Sequence, residues 1–176
     1  MATILPLSAV EPALVEALLD AAFGADRFGR TAYAIRAGMD WLPGLSFAAL
    51  DEEEYLVGSV QLWPIALTAP DGKAHPLLMV GPVAVMPGRQ GEGFGKALIA
   101  TALSAIAAEA PLPQMLIGDL DYYGQWGFTP EHTGDWRCPG PWDPARLLAR
   151  GGPMPREGML GPWMGAQAVA PRADAL

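Results

Sequence analysis

A mixed α/β fold is what this sequence predicts, and three observations predict it. Runs with a period of two around residues 45–49 and 55–63 read as strands, and runs with helical spacing around residues 12–22 and 94–106 read as helices. Between residues 76 and 118 a strand, a glycine-rich loop, a helix and a second strand follow one another, which predicts two parallel strands joined by a right-handed crossover. With 51% apolar and 17% charged residues, the 176-residue chain has the composition of one packed domain over residues 1–176.

The elements follow in order. Residues 3–7 make a short first strand. Pro12 then sits in the first turn of a helix that carries Leu14, Leu18 and Ala22 on one face. A second helix is expected over 28–38, closing at Gly38, with Trp41-Leu42-Pro43-Gly44 as its loop. Leu45, Phe47 and Ala49 alternate, the acidic run 51–54 makes a solvated turn, and Leu56, Val60 and Leu62 share one face of the returning strand. Pro70-Asp71-Gly72 marks the next turn. The run 76–85 is apolar throughout, as for a strand covered on both faces, but Pro82 donates nothing to a ladder and interrupts its pairing. A helix over 95–109 places Phe94, Leu98, Ala102 and Ile106 together, with Pro111 beyond its end. Residues 114–118 form a buried strand, 120–125 a helical turn or two, and Gly127-Phe128-Thr129-Pro130 starts another extended piece. After Pro130 the chain is rich in Pro, Gly and Trp, and only 145–150 reads as a strand.

Composition excludes several functions. Cys138 is the single cysteine, so there is no internal disulfide framework, and with only His75 and His132 there is no recognised metal-ligand spacing. A net charge of −8 argues against a nucleic-acid partner, which draws on clustered Lys and Arg. Neither an export leader nor a membrane span is expected, and a reducing cytoplasm fits the lone thiol.

The stretch "VMPGRQGEGFGKALIA", residues 85–100, carries the chemistry. Consecutive backbone N–H groups at a helix start make an anion site, and glycines let a phosphate come close. The nucleotide P-loop fails here, because Ala97 stands where Ser or Thr must follow Gly95-Lys96 and Gln90 stands at the first glycine. The dinucleotide fingerprint fails at Lys96 or Leu98, depending on register. A third pattern, Gln/Arg-x-x-Gly-x-Gly/Ala, is satisfied at every fixed position by Gln90-Gly91-Glu92-Gly93-Phe94-Gly95. By these residues, and by "GDLDYYGQWGF" over 118–128, the chain resembles the GCN5-related N-acetyltransferase (GNAT) superfamily and its YhbS-like branch. The resemblance covers residues 47–128 well, the first helices by position and the last residues loosely.

That resemblance implies an acyl-CoA N-acyltransferase fold, a mixed central sheet flanked by helices with splayed fourth and fifth strands, and it gives the interruption at Pro82 a purpose. It implies acetyl-CoA as cosubstrate and no metal. Backbone groups of Val83, Ala84 and Val85 would meet the pantetheine arm and thioester carbonyl, and N–H groups of Gln90, Gly91, Glu92, Gly93, Phe94, Gly95 and Lys96 the pyrophosphate. Arg89 and Lys96 would add charge toward the phosphates. Tyr123, four residues before Gly127, matches the tyrosine that protonates the departing thiolate. Asp26, Asp40, Glu131 and His132 are nominations for a general base. Cys138 lacks the His/Asn framework of an acyl carrier. The Trp-rich stretches 135–142 and 161–165 line an acceptor pocket or cap the core.

The expected activity is transfer of an acetyl group to a primary amine of a small molecule or peptide in a direct ternary complex. A homodimer with the apolar C-terminal segment as interface accords with the superfamily. The rival readings are a non-catalytic acyl-CoA sensor and a nucleotide phosphotransferase.

Overall fold

The computed structural model describes residues 2–164. Its elements run β1 (Thr3–Pro6), α1 (Pro12–Phe23), α2 (Thr31–Ile35), β2 (Phe47–Leu50), β3 (Leu56–Thr68), β4 (Ala74–Val85), α3 (Phe94–Glu109), β5 (Gln114–Ile117), α4 (Leu120–Tyr123), β6 (Asp135–Arg137), β7 (Leu147–Arg150) and β8 (Glu157–Pro162). Pairing is antiparallel for β1 with β2, β2 with β3, β3 with β8 and β5 with β7. It is parallel for β4 with β5, across the helical crossover α3, and for β6 with β8. This is the mixed α/β class expected from the order of elements. Two compact units share the chain: one takes residues up to 29, 41–62 and 80–111, the other 30–40, 63–79 and 112 onward.

In the first unit, helices cover both faces of the β2–β3 hairpin. Ala48 joins Val15, Leu18 and Leu19 of α1 in one buried cluster. On the other face the missing side chain of Gly58 admits α3, since a Cβ there would stand 2.9 Å from Leu98 Cδ1 and 3.1 Å from the Ala84 carbonyl oxygen. Phe94, Leu98, Ile99, Ala102 and Ile106 form the buried stripe of α3, the spacing that the sequence predicts. The stripe of α1 is Val15, Leu18 and Leu19, and Leu14, expected inside, is 54% exposed. Leu56 also departs from expectation. The pairing Ala49↔Gly58 is followed by Leu50↔Leu56, which leaves Val57 unpaired. Such a bulge reverses the face, so Leu56 packs toward the α1 cluster and not beside Val60 and Leu62.

In the second unit, β5 lies between two partners. It pairs with β7 along its full length, and with β4 at Leu78↔Gln114 and Met79↔Met115. The Gly81–Pro82 peptide that follows is cis. Helix α2 is five residues long and not eleven, because Gly29 interrupts the expected run and Phe28 sits in a preceding 3-10 turn. Strand β7 begins only at Leu147, since Pro144–Arg146 form a 3-10 turn whose Ala145 N–H donates to Asp143 Oδ1 at 2.9 Å. Thr129 makes a single bridge to Ala149, so the extended piece expected there is one residue deep. Strands β6 and β8 were not anticipated. Gly165 and the rest of the C-terminal segment proposed as an interface lie outside the described residues.

No helix among the described residues is long and apolar enough to cross a membrane. A buried anomaly sits in β3: Ser59 is fully buried, and its hydroxyl has no partner among the described residues. Two adjacent variants should therefore differ in their effect on stability in urea unfolding. Gly58→Val, favourable by strand propensity, is expected to cost about 1–3 kcal/mol by driving methyls into Leu98 and the Ala84 carbonyl. Ser59→Ala is expected to leave stability unchanged or raise it by about 1 kcal/mol.

Candidate functional site

The glycine loop begins where β4 ends. Met86 N–H donates to the Val57 carbonyl at 2.8 Å, and Arg89 N–H donates back to the Met86 carbonyl at 2.9 Å. Pro87 and Gly88 occupy the two central places of that turn, and Gly88 has φ +87°, the arrangement of a type II turn. Gln90 braces it, its side-chain oxygen accepting the Gly88 N–H at 2.9 Å. Gly91 (φ +82°) and Gly93 (φ +92°) then turn the chain into α3, and a Cβ at either would meet open space. These φ values favour glycine, and among the described residues nothing lies within 4 Å of where a side chain would begin at either position.

Helix α3 starts without a cap. No side chain satisfies its first turn, and its first bond runs from Ala97 N–H to the Gly93 carbonyl at 3.0 Å. Among the described residues, the N–H groups of 91–96 have no acceptor. Such a row, at the positive end of a sixteen-residue helix, is a site for an anion. A pyrophosphate fits this chemistry, because it supplies several acceptor oxygens and the open glycines let it approach.

Basic residues at the loop divide sharply. Lys96 is exposed. Arg89 is engaged: Nη1 meets Asp51 Oδ2 at 2.9 Å, Nε meets Glu92 Oε2 at 2.8 Å and Nη2 meets Glu92 Oε1 at 3.2 Å. The guanidinium holds the carboxyls of Asp51 and Glu92 below the usual carboxylate range, chiefly through these hydrogen bonds, and its own pKa rises. Asp51 was read as part of a solvated turn. No local signal links it to a residue 38 positions away. A cavity of about 850 Å³ beside this group is lined by Asp51, Glu52, Glu53, Arg89 and Glu92 and, at the start of α3, by Gly93, Phe94 and Ala97; among these described residues carboxylates outnumber the one guanidinium. The candidate anion site is therefore the row of amides.

Tyr123 belongs to the second unit. Its N–H and that of Tyr122 donate to the Asp119 carbonyl at 2.9 and 3.2 Å, which forms the short α4. Asp119 Oδ1 in turn accepts from Arg146 Nε at 3.1 Å. Gly118 is small for a reason: a Cβ there would stand 2.5 Å from the Tyr123 ring. Gly127 closes the segment at φ +86° and delivers Phe128 to the core. The Tyr123 ring packs edge-on against Tyr122 at 4.9 Å and Phe128 at 6.3 Å. Its hydroxyl has no hydrogen-bond partner among the described residues. Burial, with smaller contributions from Tyr122 and Asp119, pushes the phenol up to about 12.

The other nominations scatter. Asp26, Asp40, Glu131 and His132 are exposed and His75 is half-buried. Cys138 is buried, and burial pushes its thiol up to about 11, which disfavours a thiolate. Trp136 is buried and its indole donates to the Pro155 carbonyl at 3.0 Å, so the stretch 135–142 caps the core of the second unit. One constellation in that unit carries no motif in the sequence: buried Arg36, whose guanidinium lies 4.0 Å from the Tyr33 ring and 3.9 Å from the Trp63 ring. Among the described residues no group of three or more His, Cys, Asp or Glu could hold a metal ion.

A strand, an uncapped glycine entry into a long helix and a parallel return strand define a mixed α/β protein with a candidate anion site at the helix start. The chain belongs to the GNAT acetyltransferase family, since the family model of the acetyltransferase (GNAT) domain matches residues 14–130. Among solved structures it is similar in fold to the GNAT family N-acetyltransferase YhbS from Escherichia coli in complex with CoA, with 22% identity and a TM-score of 0.64 over 85% of this chain and 79% of that one. A GNAT family acetyltransferase from Brucella melitensis in complex with acetyl-CoA is 27% identical, with a TM-score of 0.61 over 90% of this chain and 93% of that one. No curated protein matches the chain. The family read from the loop and from 118–128 is thus borne out.

The shifted phenol has a measurable consequence. A group whose folded pKa is raised stabilises fully below its unfolded value, here about 10, and that contribution is lost as pH rises through about 12. Stability should fall by about 2–3 kcal/mol more across this window in the natural protein than in Tyr123→Phe, in urea unfolding at stepped pH.

Proposed function

We propose that this chain, as one acetyltransferase domain over residues 1–176, is a cytoplasmic acetyl-CoA-dependent N-acetyltransferase acting on a primary amine of a small molecule or peptide. The observation that carries this reading is the row of unpartnered N–H groups over 91–96 at an uncapped helix start, in a chain of this family. The complexes of the similar structures with CoA and acetyl-CoA support the choice of ligand.

The N–H groups of Gly91 to Lys96 would bind the pyrophosphate, with Lys96 adding exposed positive charge. Gln90 keeps the preceding turn in shape, and Arg89 gives its charge mainly to Asp51 and Glu92. Backbone groups of Val83, Ala84 and Val85 would take the pantetheine arm and the thioester carbonyl. When bound, acetyl-CoA supplies an activated acyl carbon and a thiolate leaving group. The acceptor nitrogen forms the new C–N bond as the C–S bond breaks, and the amine sheds a proton to water. Tyr123 gives its phenolic proton toward the departing sulfur and regains one from solvent, and a phenol is neutral at pH 7 even before burial raises its pKa. The amine enters neutral, by deprotonation in solvent, since the carboxylates nominated as a base are all exposed.

A thiol-release assay with acetyl-CoA against amines, amino acids, polyamines and peptides tests this reading. At least one acceptor should turn over. Tyr123→Phe should lower kcat by about 10²–10⁴-fold while acetyl-CoA affinity, measured by calorimetry, stays within about twofold. Tight acetyl-CoA binding with no acceptor turned over would make the chain a sensor. Thermal stabilisation by ATP and not by CoA would make it a phosphotransferase.

A further inference from the structure

We propose that Asp51, Arg89 and Glu92 form a clamp that fixes the glycine loop to the β2–β3 turn, so that Arg89 serves phosphate binding as a positioning residue and not by contact. The proposal deepens the acetyl-CoA reading above and rests on it for its ligand.

The clamp is built from the hairpin outward. Asp51 Oδ1 accepts the N–H groups of Glu53 and Tyr55, each at 3.0 Å, which holds the carboxylate in one orientation before it meets any partner. Its other oxygen is then presented to Arg89 Nη1 at 2.9 Å, and the Asp51 side chain is only 13% exposed. The opposite edge of the guanidinium grips Glu92 through both carboxylate oxygens, at 2.8 and 3.2 Å. This two-bond fork has a defined geometry that a lysine cannot reproduce. The Arg89 guanidinium also lies 5.3 Å from the ring of Phe94, the buried first residue of α3.

The location of Glu92 gives the clamp its use. It stands between Gly91 and Gly93, the two left-handed glycines that turn the chain into α3. Glycine loses more conformational freedom on ordering than any other residue, so a loop of this kind is held poorly by its own backbone. Glu92 has the only side chain between those glycines, and tying it down orders the amides on both sides. Charge counting points the same way: two carboxylates around one guanidinium leave this group with a net negative charge, so no positive charge remains on it for a phosphate.

Contact and positioning predict opposite signs. If Arg89 touched phosphate, Asp51→Asn would release it and remove a nearby negative charge, and affinity would hold or rise. Asn keeps an oxygen for the Glu53 and Tyr55 N–H groups and turns an NH2 donor toward Arg89 in place of the charged acceptor, so the turn survives while the link to Arg89 is lost. Acetyl-CoA affinity of the full chain is to be measured by calorimetry near physiological ionic strength, with kinetics against any acceptor that turns over. The clamp predicts that Asp51→Asn and Arg89→Ala each weaken binding by about three- to tenfold, the range that two partly exposed ion pairs support. It also predicts that the double variant is no worse than the weaker single, that Arg89→Lys fails to rescue, and that KM for acetyl-CoA rises with kcat within about twofold. Unchanged or tighter binding by Asp51→Asn, or additive losses in the double variant, would overturn it. If the natural chain binds no acetyl-CoA, the ligand reading fails and amide hydrogen exchange decides the clamp alone. Faster exchange confined to residues 88–96 in Asp51→Asn and Glu92→Gln supports it, and unaltered exchange there overturns it.

Discussion

The structure depends on one unmet demand, the uncapped start of α3. Gly93 at the N-cap, in place of a capping side chain, costs this helix only a few tenths of a kcal/mol, but it leaves the N–H groups of the first turn without acceptors among the described residues. The stability of the helix comes from its buried stripe, Phe94, Leu98, Ile99, Ala102 and Ile106, packed on the β2–β3 hairpin. That packing in turn requires the close approach at Gly58, where a side chain would collide with Leu98 and with the Ala84 carbonyl. A binding feature at one end of the helix and a missing Cβ beneath it are thus parts of one arrangement.

Glycine performs three separate tasks here. Gly88, Gly91 and Gly93 adopt left-handed backbone angles with open space around them, so they are needed for conformation and for the concavity they leave. Gly58 has an ordinary backbone and is needed for close packing. Gly118 is needed to place another side chain, because its absent Cβ is the space that the Tyr123 ring occupies. The motif "GDLDYYGQWGF" becomes intelligible residue by residue: Gly118 admits the ring, Asp119 starts the turn, and Gly127 reverses the chain so that Phe128 is fully buried beside it.

What was legible in the sequence is what is locally encoded. The periods of α1, α3 and the β2–β3 hairpin, the turn at Pro70-Asp71-Gly72 and the glycine loop all lie within windows of fewer than about 20 residues. What was not legible depends on distant partners. Strands β6 and β8 are short, lie among Pro and Gly, and exist because they pair with each other and with β3. The bulge at Val57 is invisible in a hydrophobic pattern, and it alone moves Leu56 to the other face. Asp51 sat in a run whose ordinary fate is solvation, and only folding brings it to Arg89. Arg36 is a similar case: Tyr33 is its near neighbour in sequence, but the Trp63 ring reaches this buried cation only through folding.

A chain of net charge −8 that is proposed to bind a polyanion has to do so against its own long-range field. Two facts reduce the conflict. Exposed charges more than a Debye length away, about 8 Å at physiological ionic strength, are largely screened, so the global charge matters less than the first turn of α3. There the attraction comes from directed N–H groups and the helix end, whose partial charge is fixed by the backbone and needs no basic cluster. Arg89 is then free to serve structure, exchanging its charge with Asp51 and Glu92 for the order of the loop that presents those groups. An acidic surface and the proposed anion site are compatible in this molecule because that site would be made of main chain.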